Sequence, residues 1–170
     1  INLLHGIEKA AAKDGFSFSG VKKSDLNTPD TMVNGSMIRD IGKKDEVNQD
    51  DMLIAGTAWL FADPGFEGIC DYLFVDEAGQ VSLANLIAMG VAARNIVLIG
   101  DQMQLSQPIQ GSHPGDSGNS ALDYLLKGHA TVPADRGIFL DTTWRLHPDI
   151  CDFISQAVYD GRLRAHRDNA

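Results

Sequence analysis

The chain has 170 residues, of which 44% are hydrophobic, which is enough for one domain that buries about two-thirds of its unfolded surface. Its formal net charge of -9 and its pI near 4.8 show no excess of basic residues for phosphate binding, which argues against a self-sufficient nucleic-acid module. Because the sequence has no signal peptide and no apolar stretch long enough to cross a bilayer, we expect a cytoplasmic protein without a membrane partner.

The first predicted element is a helix at the start of the chain, ended by Gly15. Its apolar residues recur at helical spacing: Leu3, Leu4, Ile7, Ala10 and Ala11. Turn residues and charges then dominate, which predicts a solvated loop or insertion over residues 16–51. Cys70 and Cys151 lie in apolar runs without C-x-x-C spacing, which favours buried thiols in a reducing compartment.

Three apolar runs of strand length follow, MLIAGTAWLF, YLFV and NIVLIG. Between the last two, SLANLIAMG predicts a helix capped by Ser82. Ser120 opens a further predicted helix, GIFLD is predicted to be a fourth short strand, and Pro148 begins a last helix that ends before Gly161. Apolar strands that alternate with helices favour a parallel sheet in an α/β fold.

Acidic residues follow two of the predicted strands. FVDE ends at Asp76 and Glu77, and LIGD ends at Asp101. Ligands of open parallel sheets bind beyond the carboxyl ends of the strands, so a site is expected there. Mg²⁺ is usually held by one or two carboxylates together with substrate phosphates, which suits Asp76, and Glu77 could orient an attacking water or accept its proton.

Two further stretches support a nucleotide site. In LIGDQMQLSQP, Gly100 is expected to let the backbone turn sharply off the strand, and Gln104 presents an amide beside the acidic pair. In TTWRLHPDI, Trp144 and Arg145 precede a helix that begins with proline. An indole can stack on a base, and an arginine can neutralise charge on a γ-phosphate during transfer.

These stretches resemble a known family. VDEAGQ, IGDQMQLSQP and TWRLHPDI, in this order, are similar to motifs II, III and IV of superfamily-one helicases. The similarity is greatest to the 5′-to-3′ branch of these AAA-type ATPases, which includes bacterial proteins that fuse a RecB-like nuclease to a helicase. The resemblance covers Met52 to Leu163, and INLL is similar to the end of motif Ia. The sequence departs from the family in QLSQP, where Gln-Leu-Pro-Pro is commoner, and in Trp144, where tyrosine is commoner.

The resemblance implies a partial RecA-like P-loop NTPase fold, with a parallel sheet flanked by helices and without the phosphate-loop strand. It also implies ATP and Mg²⁺ as cofactors. The implied roles are Mg²⁺ binding for Asp76, activation of water for Glu77, γ-phosphate sensing for Gln104, γ-phosphate contact for Arg145, adenine stacking for Trp144, cofactor binding for Asp101 and nucleic-acid contact for Thr57.

The resemblance further implies a division of the chain. Residues 1–141 would be the later part of the first RecA-like motor domain, and residues 142–170 the hinge and first helix of the second. The expected partners are single-stranded DNA or RNA, the remaining motor domains and, as in some relatives, a fused RecB-like nuclease domain. A phosphate loop needs G-x-x-x-x-G-K-[ST], and in the nearest match, GFSFSGVKKS, Val21 separates Gly20 from Lys22. We therefore expect this fragment alone to lack ATPase activity.

Three functions remain open on the sequence. The first is a fragment of a motor that couples ATP hydrolysis to movement on nucleic acid. The second is a nucleic-acid-associated switch ATPase with the same site and no translocation. The third is a non-catalytic interaction fragment, which would be favoured if the longer protein bound no nucleotide.

Overall fold

A computed structural model describes residues 1–104 and 114–169 of the chain, which has a mixed α/β structure and divides into two compact units. The first unit comprises Ile1–Leu73 and Ile87–Asn95, and the second comprises Phe74–Leu86 and Ile96–Ala170. The α-helices in the described residues are α1 (Asn2–Lys13), α2 (Ala58–Phe61), α3 (Leu83–Gly90), α4 (Ala121–Leu126) and α5 (Pro148–Val158). The β-strands there are β1 (Gly20–Lys23), β2 (Ile38–Ile41), β3 (Leu53–Ala55), β4 (Cys70–Val75), β5 (Ala93–Leu98), β6 (Thr142–Thr143) and β7 (Arg164–Ala165).

The first unit contains a parallel sheet of three strands in the order β2-β1-β3. Val21 of β1 and Ile38 of β2 are fully buried, and Ile38 packs in one cluster with Leu4 of α1. We predicted a solvated loop or insertion for residues 16–51, and for β1 and β2 this prediction was wrong. These strands read GVKK and IRDI, so charged residues interrupt the continuous apolar run by which a buried strand is recognised.

A buried carboxylate connects the three strands of this sheet. Asp51, which precedes β3, accepts hydrogen bonds from Arg39 Nη1 at 2.6 Å and Nη2 at 2.9 Å and from Ser19 Oγ at 2.9 Å. Arg39 lies on β2, and Ser19 precedes β1. The hydrogen bond from Arg39 lowers the pKa of Asp51 to about 2. The buried Asp51 carboxylate is paired with Arg39 and hydrogen-bonded to Ser19. These polar contacts therefore help to hold together β1 and β2, which have few apolar residues.

Helix α1 is fixed to the sheet by Glu8. Its Oε1 accepts hydrogen bonds from the backbone N–H groups of Met37 at 2.6 Å and Ile38 at 2.9 Å, where β2 begins. The bond from Met37 is the main reason why the pKa of Glu8 is lowered. The predicted helix and its end are confirmed, since Gly15 follows α1 in the left-handed conformation with a φ of 68°.

Strands β4 and β5 pair with each other, as the runs YLFV and NIVLIG predicted. The N–H of Cys70 donates to the carbonyl oxygen of Ala92 at 2.9 Å, and the N–H of Ile99 donates to the carbonyl oxygen of Val75 at 2.9 Å. The start of β4 is thus bonded to the start of β5 and the end of β4 to the end of β5, so the two strands are parallel. Their carboxyl ends both lie in the second unit.

The other predicted helices are also confirmed. Ser82 and Ser120 precede α3 and α4, and the hydroxyl of each accepts a hydrogen bond from the backbone N–H three residues later, at 3.3 and 3.0 Å. Pro148 is the first residue of α5. Gly128 and Gly161 follow the ends of α4 and α5 with positive φ, as helix-terminating glycines do.

Two apolar runs differ from their predictions. MLIAGTAWLF, predicted to be one strand, contains β3 and then α2, which begins after Thr57. GIFLD, at residues 137–141, forms no strand, and Ile138 and Leu140 are 86% and 77% exposed. Apolar composition without a clear period does not distinguish a strand from a short helix or an exposed segment.

No helix in residues 1–104 and 114–169 is both long enough and apolar enough to cross a bilayer. Both cysteines are free thiols, and burial raises the pKa of each. Cys151 on α5 is fully buried, as predicted, whereas Cys70 on β4 is only half-buried.

Candidate active site

The segments that follow β4 and β5 stay in contact beyond the ends of the strands. The N–H of Ala78 donates to the carbonyl oxygen of Ile99 at 2.9 Å. A β-carbon added to Gly100 would lie 2.7 Å from the backbone nitrogen of Ala78, so glycine is needed here for a close approach of two backbones. The chain bends at Gly100, as predicted, but the φ of this residue is not positive, so the close approach of the two backbones is what requires glycine. The residues after both strands therefore lie side by side.

The acidic pair lies at the end of β4. Asp76 and Glu77 directly follow the last residue of the strand, and both are exposed to solvent. Asp76 Oδ1 accepts a hydrogen bond from the backbone N–H of Glu77 at 3.0 Å. The position after a parallel strand is as predicted, and both carboxylates face solvent, where a ligand can reach them.

Glu77 has an unusual backbone conformation. Its φ of 53° and ψ of 41° are left-handed, which a residue other than glycine rarely adopts. Such a conformation costs on the order of 1 kcal/mol and is found most often at functional sites and tight turns. It directs the chain away from the strand immediately after Asp76. This outlier was not predictable from the sequence, because glutamate gives no signal for a positive φ.

Asp101 follows β5 and differs from the acidic pair, because protein donors occupy its carboxylate. Oδ1 accepts a hydrogen bond from the backbone N–H of Met103 at 2.9 Å. Oδ2 accepts from Gln104 Nε2 at 3.1 Å and from the hydroxyl of Tyr159 at 2.5 Å. Asp101 and Gln104, both predicted as site residues, are therefore brought together. Asp101 is arranged to orient its neighbours more than to bind a ligand directly.

Two residues of this region were missed by the sequence analysis. Tyr159 lies at the end of α5, and nothing in a lone tyrosine after a helix indicates a partner 58 residues away. Gln102 lies between two predicted site residues, and its Nε2 donates to the carbonyl oxygens of His129 at 3.0 Å and Ala130 at 2.8 Å. Its position in the motif was the one available signal. Gln102 fixes the segment after β5 to the residues that follow α4.

Trp144 lies after β6 and stacks on His166. The ring centroids are 3.5 Å apart, and the ring planes differ by 19°. The indole is nevertheless 67% exposed, so His166 covers one face and the other remains open to solvent. This arrangement leaves room for one flat ring to stack on Trp144. His166 was not predicted to be near the site, because it is separated from Trp144 by the whole of α5.

The segment that carries Arg145 is held at several points. The N–H of His166 donates to the carbonyl oxygen of Thr143 at 2.9 Å, and Asn169 Nδ2 donates to the carbonyl oxygens of Thr143 and Leu146 at 3.0 and 3.1 Å. The backbone N–H of Arg145 donates to Thr143 Oγ1 at 3.3 Å. The guanidinium is exposed and has no partner among residues 1–104 and 114–169. The backbone is therefore fixed while the charged group remains available.

Thr57, the predicted nucleic-acid contact, lies in the first unit at the start of α2. Its side chain is exposed and makes no capping hydrogen bond to the helix, so the hydroxyl is available to another partner. Trp59, two residues later, is 85% exposed. A tryptophan side chain is seldom so exposed, and this one offers a flat apolar surface on α2, close to Thr57 in the sequence.

Mg²⁺ usually keeps several waters and binds one or two carboxylates together with substrate phosphates. Asp76 meets these needs, because its Oδ2 accepts no hydrogen bond from the part of the chain that the structure describes. Within that part, no three His, Cys, Asp or Glu side chains are grouped so as to hold a metal ion. The residues therefore fit a hydrated ion held by one carboxylate, and not a site made of protein ligands alone.

A cleft in the first unit lies beyond the ends of β1 and β2 and has a volume of about 500 Å³. It is lined by residues of both charges, including Lys23, Lys43, Asp25 and Glu46. None of the predicted site residues lines it. Residues 105–108, where QLSQP differs from the Gln-Leu-Pro-Pro that is commoner in the family it resembles, lie outside the described residues.

Three curated proteins are similar to part of the chain. The probable helicase MAGATAMA 3 of Arabidopsis thaliana is 31% identical over 99 residues, or 58% of this chain. The 3'-5' exoribonuclease HELZ2 of Mus musculus is 31% identical over 100 residues, or 56% of this chain. Replicase polyprotein 1ab of murine coronavirus, strain JHM, is 30% identical over 106 residues, or 61% of this chain.

The chain spans a small share of these relatives, namely 12%, 3% and 1% of their lengths. No protein-family model matches the chain. Identity of about 30% over about 100 residues supports a helicase-like relationship for the matched part.

Proposed function

We propose that the chain is a fragment of an ATP-dependent DNA or RNA helicase or translocase of superfamily one, built on RecA-like domains and similar to the 5′-to-3′ branch. The observation that carries the proposal is the exposed Asp76–Glu77 pair at the carboxyl end of β4, beside Asp101 and Gln104 after β5. Similarity to a probable helicase supports it. Single-stranded nucleic acid, the remaining motor domains and, in some relatives, a RecB-like nuclease domain are the proposed partners.

Asp76 and Glu77 have different roles in this proposal. Asp76 would hold a hydrated Mg²⁺ through its free carboxylate oxygen, and the ion would supply positive charge to the phosphates. Glu77, fixed in its left-handed conformation, orients the attacking water and accepts its proton. Gln104, held by Asp101, places its amide near the γ-phosphate.

Trp144 and Arg145 are also assigned to the nucleotide in this proposal. The open face of Trp144 stacks on adenine, while His166 fills the opposite face. Arg145 contacts the γ-phosphate, and its exposed guanidinium stabilises the negative charge that develops on phosphoryl transfer. The hydroxyl of Thr57 contacts the nucleic-acid backbone, as a side chain without a capping role can do.

Glu77→Gln in the longer protein tests the proposed hydrolysis. The amide keeps the size of the side chain and loses the base, so we expect nucleotide binding to persist and phosphate release to fall by about a hundredfold or more. Both quantities are measured on the same preparation. Glu67→Gln, at another exposed glutamate, is the matched control and should leave turnover unchanged. Unchanged turnover in Glu77→Gln would contradict the proposal.

A switch ATPase without translocation is the second candidate, and the net charge of -9 favours it, because a strand-tracking surface is usually basic. The two candidates differ in the effect of nucleic acid on the longer protein. Stimulation of ATP hydrolysis together with movement along a strand supports the motor. Nucleotide hydrolysis without strand displacement or movement supports the switch.

A further inference from the structure

The hydroxyl of Tyr159 donates a hydrogen bond to Asp101. The two oxygens are 2.5 Å apart, in a partly buried contact that joins residues 58 positions apart in the sequence. Burial and the neighbouring Asp101 carboxylate raise the pKa of Tyr159 to about 12. The phenol therefore keeps its proton at neutral pH and can donate it to the carboxylate.

The same carboxylate orients Gln104. Both the Tyr159 hydroxyl and Gln104 Nε2 donate to Oδ2 of Asp101, at 2.5 and 3.1 Å, while Oδ1 accepts from the N–H of Met103. A carboxylate oxygen that accepts a strong hydrogen bond from one donor is a fixed acceptor for its second donor. The orientation of the Gln104 amide consequently depends on a group that does not touch it.

Tyr159 is itself fixed in place at the end of α5. Its ring packs on Phe139, with centroids 6.3 Å apart, and the guanidinium of Arg162 lies 4.6 Å from the centre of the Phe139 ring. Arg162 Nη1 also donates to Thr131 Oγ1 at 2.7 Å. These contacts restrict the tyrosine ring, so that its hydroxyl is directed by packing as well as by its own hydrogen bond.

Helix α5 connects this contact to the segment that carries Arg145. The helix begins at Pro148, three residues after Arg145, and ends at Val158, immediately before Tyr159. An α-helix of eleven residues is about 16 Å long and behaves as a rigid element. The same helix therefore joins the Tyr159 contact to the segment that carries Arg145.

We propose that Tyr159 is a positioning residue, whose hydroxyl fixes Asp101 and thereby the orientation of the Gln104 amide at the nucleotide site. The inference rests on the proposed function. It adds a residue outside the family motifs and a connection from the end of α5 to the end of β5. Tyr159 touches neither nucleotide nor water in this role.

Tyr159→Phe in the longer protein tests the inference, because it keeps the ring against Phe139 and removes only the hydroxyl. We expect kcat for ATP hydrolysis to fall about tenfold, the equivalent of one charge-assisted hydrogen bond, with little change in nucleotide binding. Tyr124→Phe, at an exposed tyrosine of α4, is the matched control and should behave as the unaltered protein. An unchanged kcat in Tyr159→Phe overturns the inference.

A double-mutant cycle separates positioning from a general structural effect. If Tyr159 acts through Gln104, Tyr159→Phe should cause little further loss of kcat once Gln104→Ala is present. Additive losses would overturn the inference. If the unaltered longer protein hydrolyses no ATP, the proposed function fails and this inference fails with it. If it hydrolyses ATP normally and Tyr159→Phe has no effect, only this inference fails.

A measurement on the 170-residue chain checks the contact without activity. The side-chain amide of Gln104, observed by nitrogen-15 NMR, should become more mobile in Tyr159→Phe and remain as it is in Tyr124→Phe. An equally ordered Gln104 amide in both variants would show that Asp101 orients it without the tyrosine, and the inference would be wrong.

Discussion

The three acids at the strand ends are not equivalent at the scale of single residues. Asp76 and Glu77 are exposed, whereas the carboxylate of Asp101 receives three protein donors. A free carboxylate can exchange its waters for a ligand at little cost, but a carboxylate that already accepts several hydrogen bonds must first lose them. The pair is therefore suited to chemistry, and Asp101 to orienting Gln104.

Arg145→Ala in the longer protein should reduce ATP turnover by about a thousandfold, because an arginine on the γ-phosphate stabilises charge that develops only in the transition state. The exposed guanidinium has no partner in the described residues, so the midpoint of thermal unfolding should change by less than about 2 °C. Turnover and thermal unfolding are measured together. Arg94→Ala, at another exposed arginine, is the control. A large fall in the thermal stability of Arg145→Ala would show that Arg145 is a structural residue.

Residues at the site were predictable where the signal lay in neighbouring positions. Asp76, Glu77, Asp101 and Gln104 follow apolar runs, and the rule that strand ends carry ligands locates them. Tyr159 was not predictable, because its partner is 58 residues away and no local pattern reports such a contact. The roles of the predicted residues remain predictions.

Secondary-structure elements were predictable where one period dominates. The helices with clear caps and the strands β4 and β5 follow from spacing and capping residues alone. The strands β1 and β2 were not predictable in this way, because hydrogen bonds between polar side chains help to hold them. Asp51 accepts hydrogen bonds from Arg39 and Ser19, and Asp40 accepts one from Ser24 at 2.5 Å. Stabilisation by buried hydrogen bonds depends on distant residues, which hydrophobic patterns do not reveal.

Asp51→Asn should destabilise the first unit by about 2 kcal/mol, less than for a fully buried ion pair because Arg39 is 41% exposed. The amide keeps the shape of the side chain but leaves Arg39 without its counter-charge. The free energy of unfolding is measured with urea at pH 7. Asp50→Asn, at the exposed neighbouring aspartate, is the matched control and should change stability little.

The same carboxylate predicts how stability depends on pH. Asp51 has a pKa of about 2 in the folded chain, and an unfolded aspartate has one of about 3.9. Because the folded pKa is the lower one, the contribution is complete above the unfolded value and is lost as pH falls from about 4 towards 2. Asp51→Asn should therefore flatten the acid limb of the stability curve. An unaltered acid limb would mean that other carboxylates control it.

At the scale of the whole molecule, charge and site chemistry point in different directions. A net charge of -9 disfavours a phosphate backbone, whereas the acidic pair and Gln104 suit a nucleotide held through Mg²⁺. Both are compatible if most of the cations that face the nucleic acid and the phosphates come from outside these 170 residues. The 170 residues hold no G-x-x-x-x-G-K-[ST] phosphate loop.

The 170-residue chain alone should therefore release no phosphate from ATP above background. In the proposed mechanism Glu77 and Arg145 would supply a base and a cation, but without backbone N–H groups and a lysine around the β- and γ-phosphates the nucleotide would not be held in line for attack. Phosphate release by this chain is compared with that of the longer protein at the same concentration of ATP and Mg²⁺. Release by the chain alone that Glu77→Gln abolishes would contradict the expectation, because it would mean that these residues hold the phosphates by a route other than a phosphate loop.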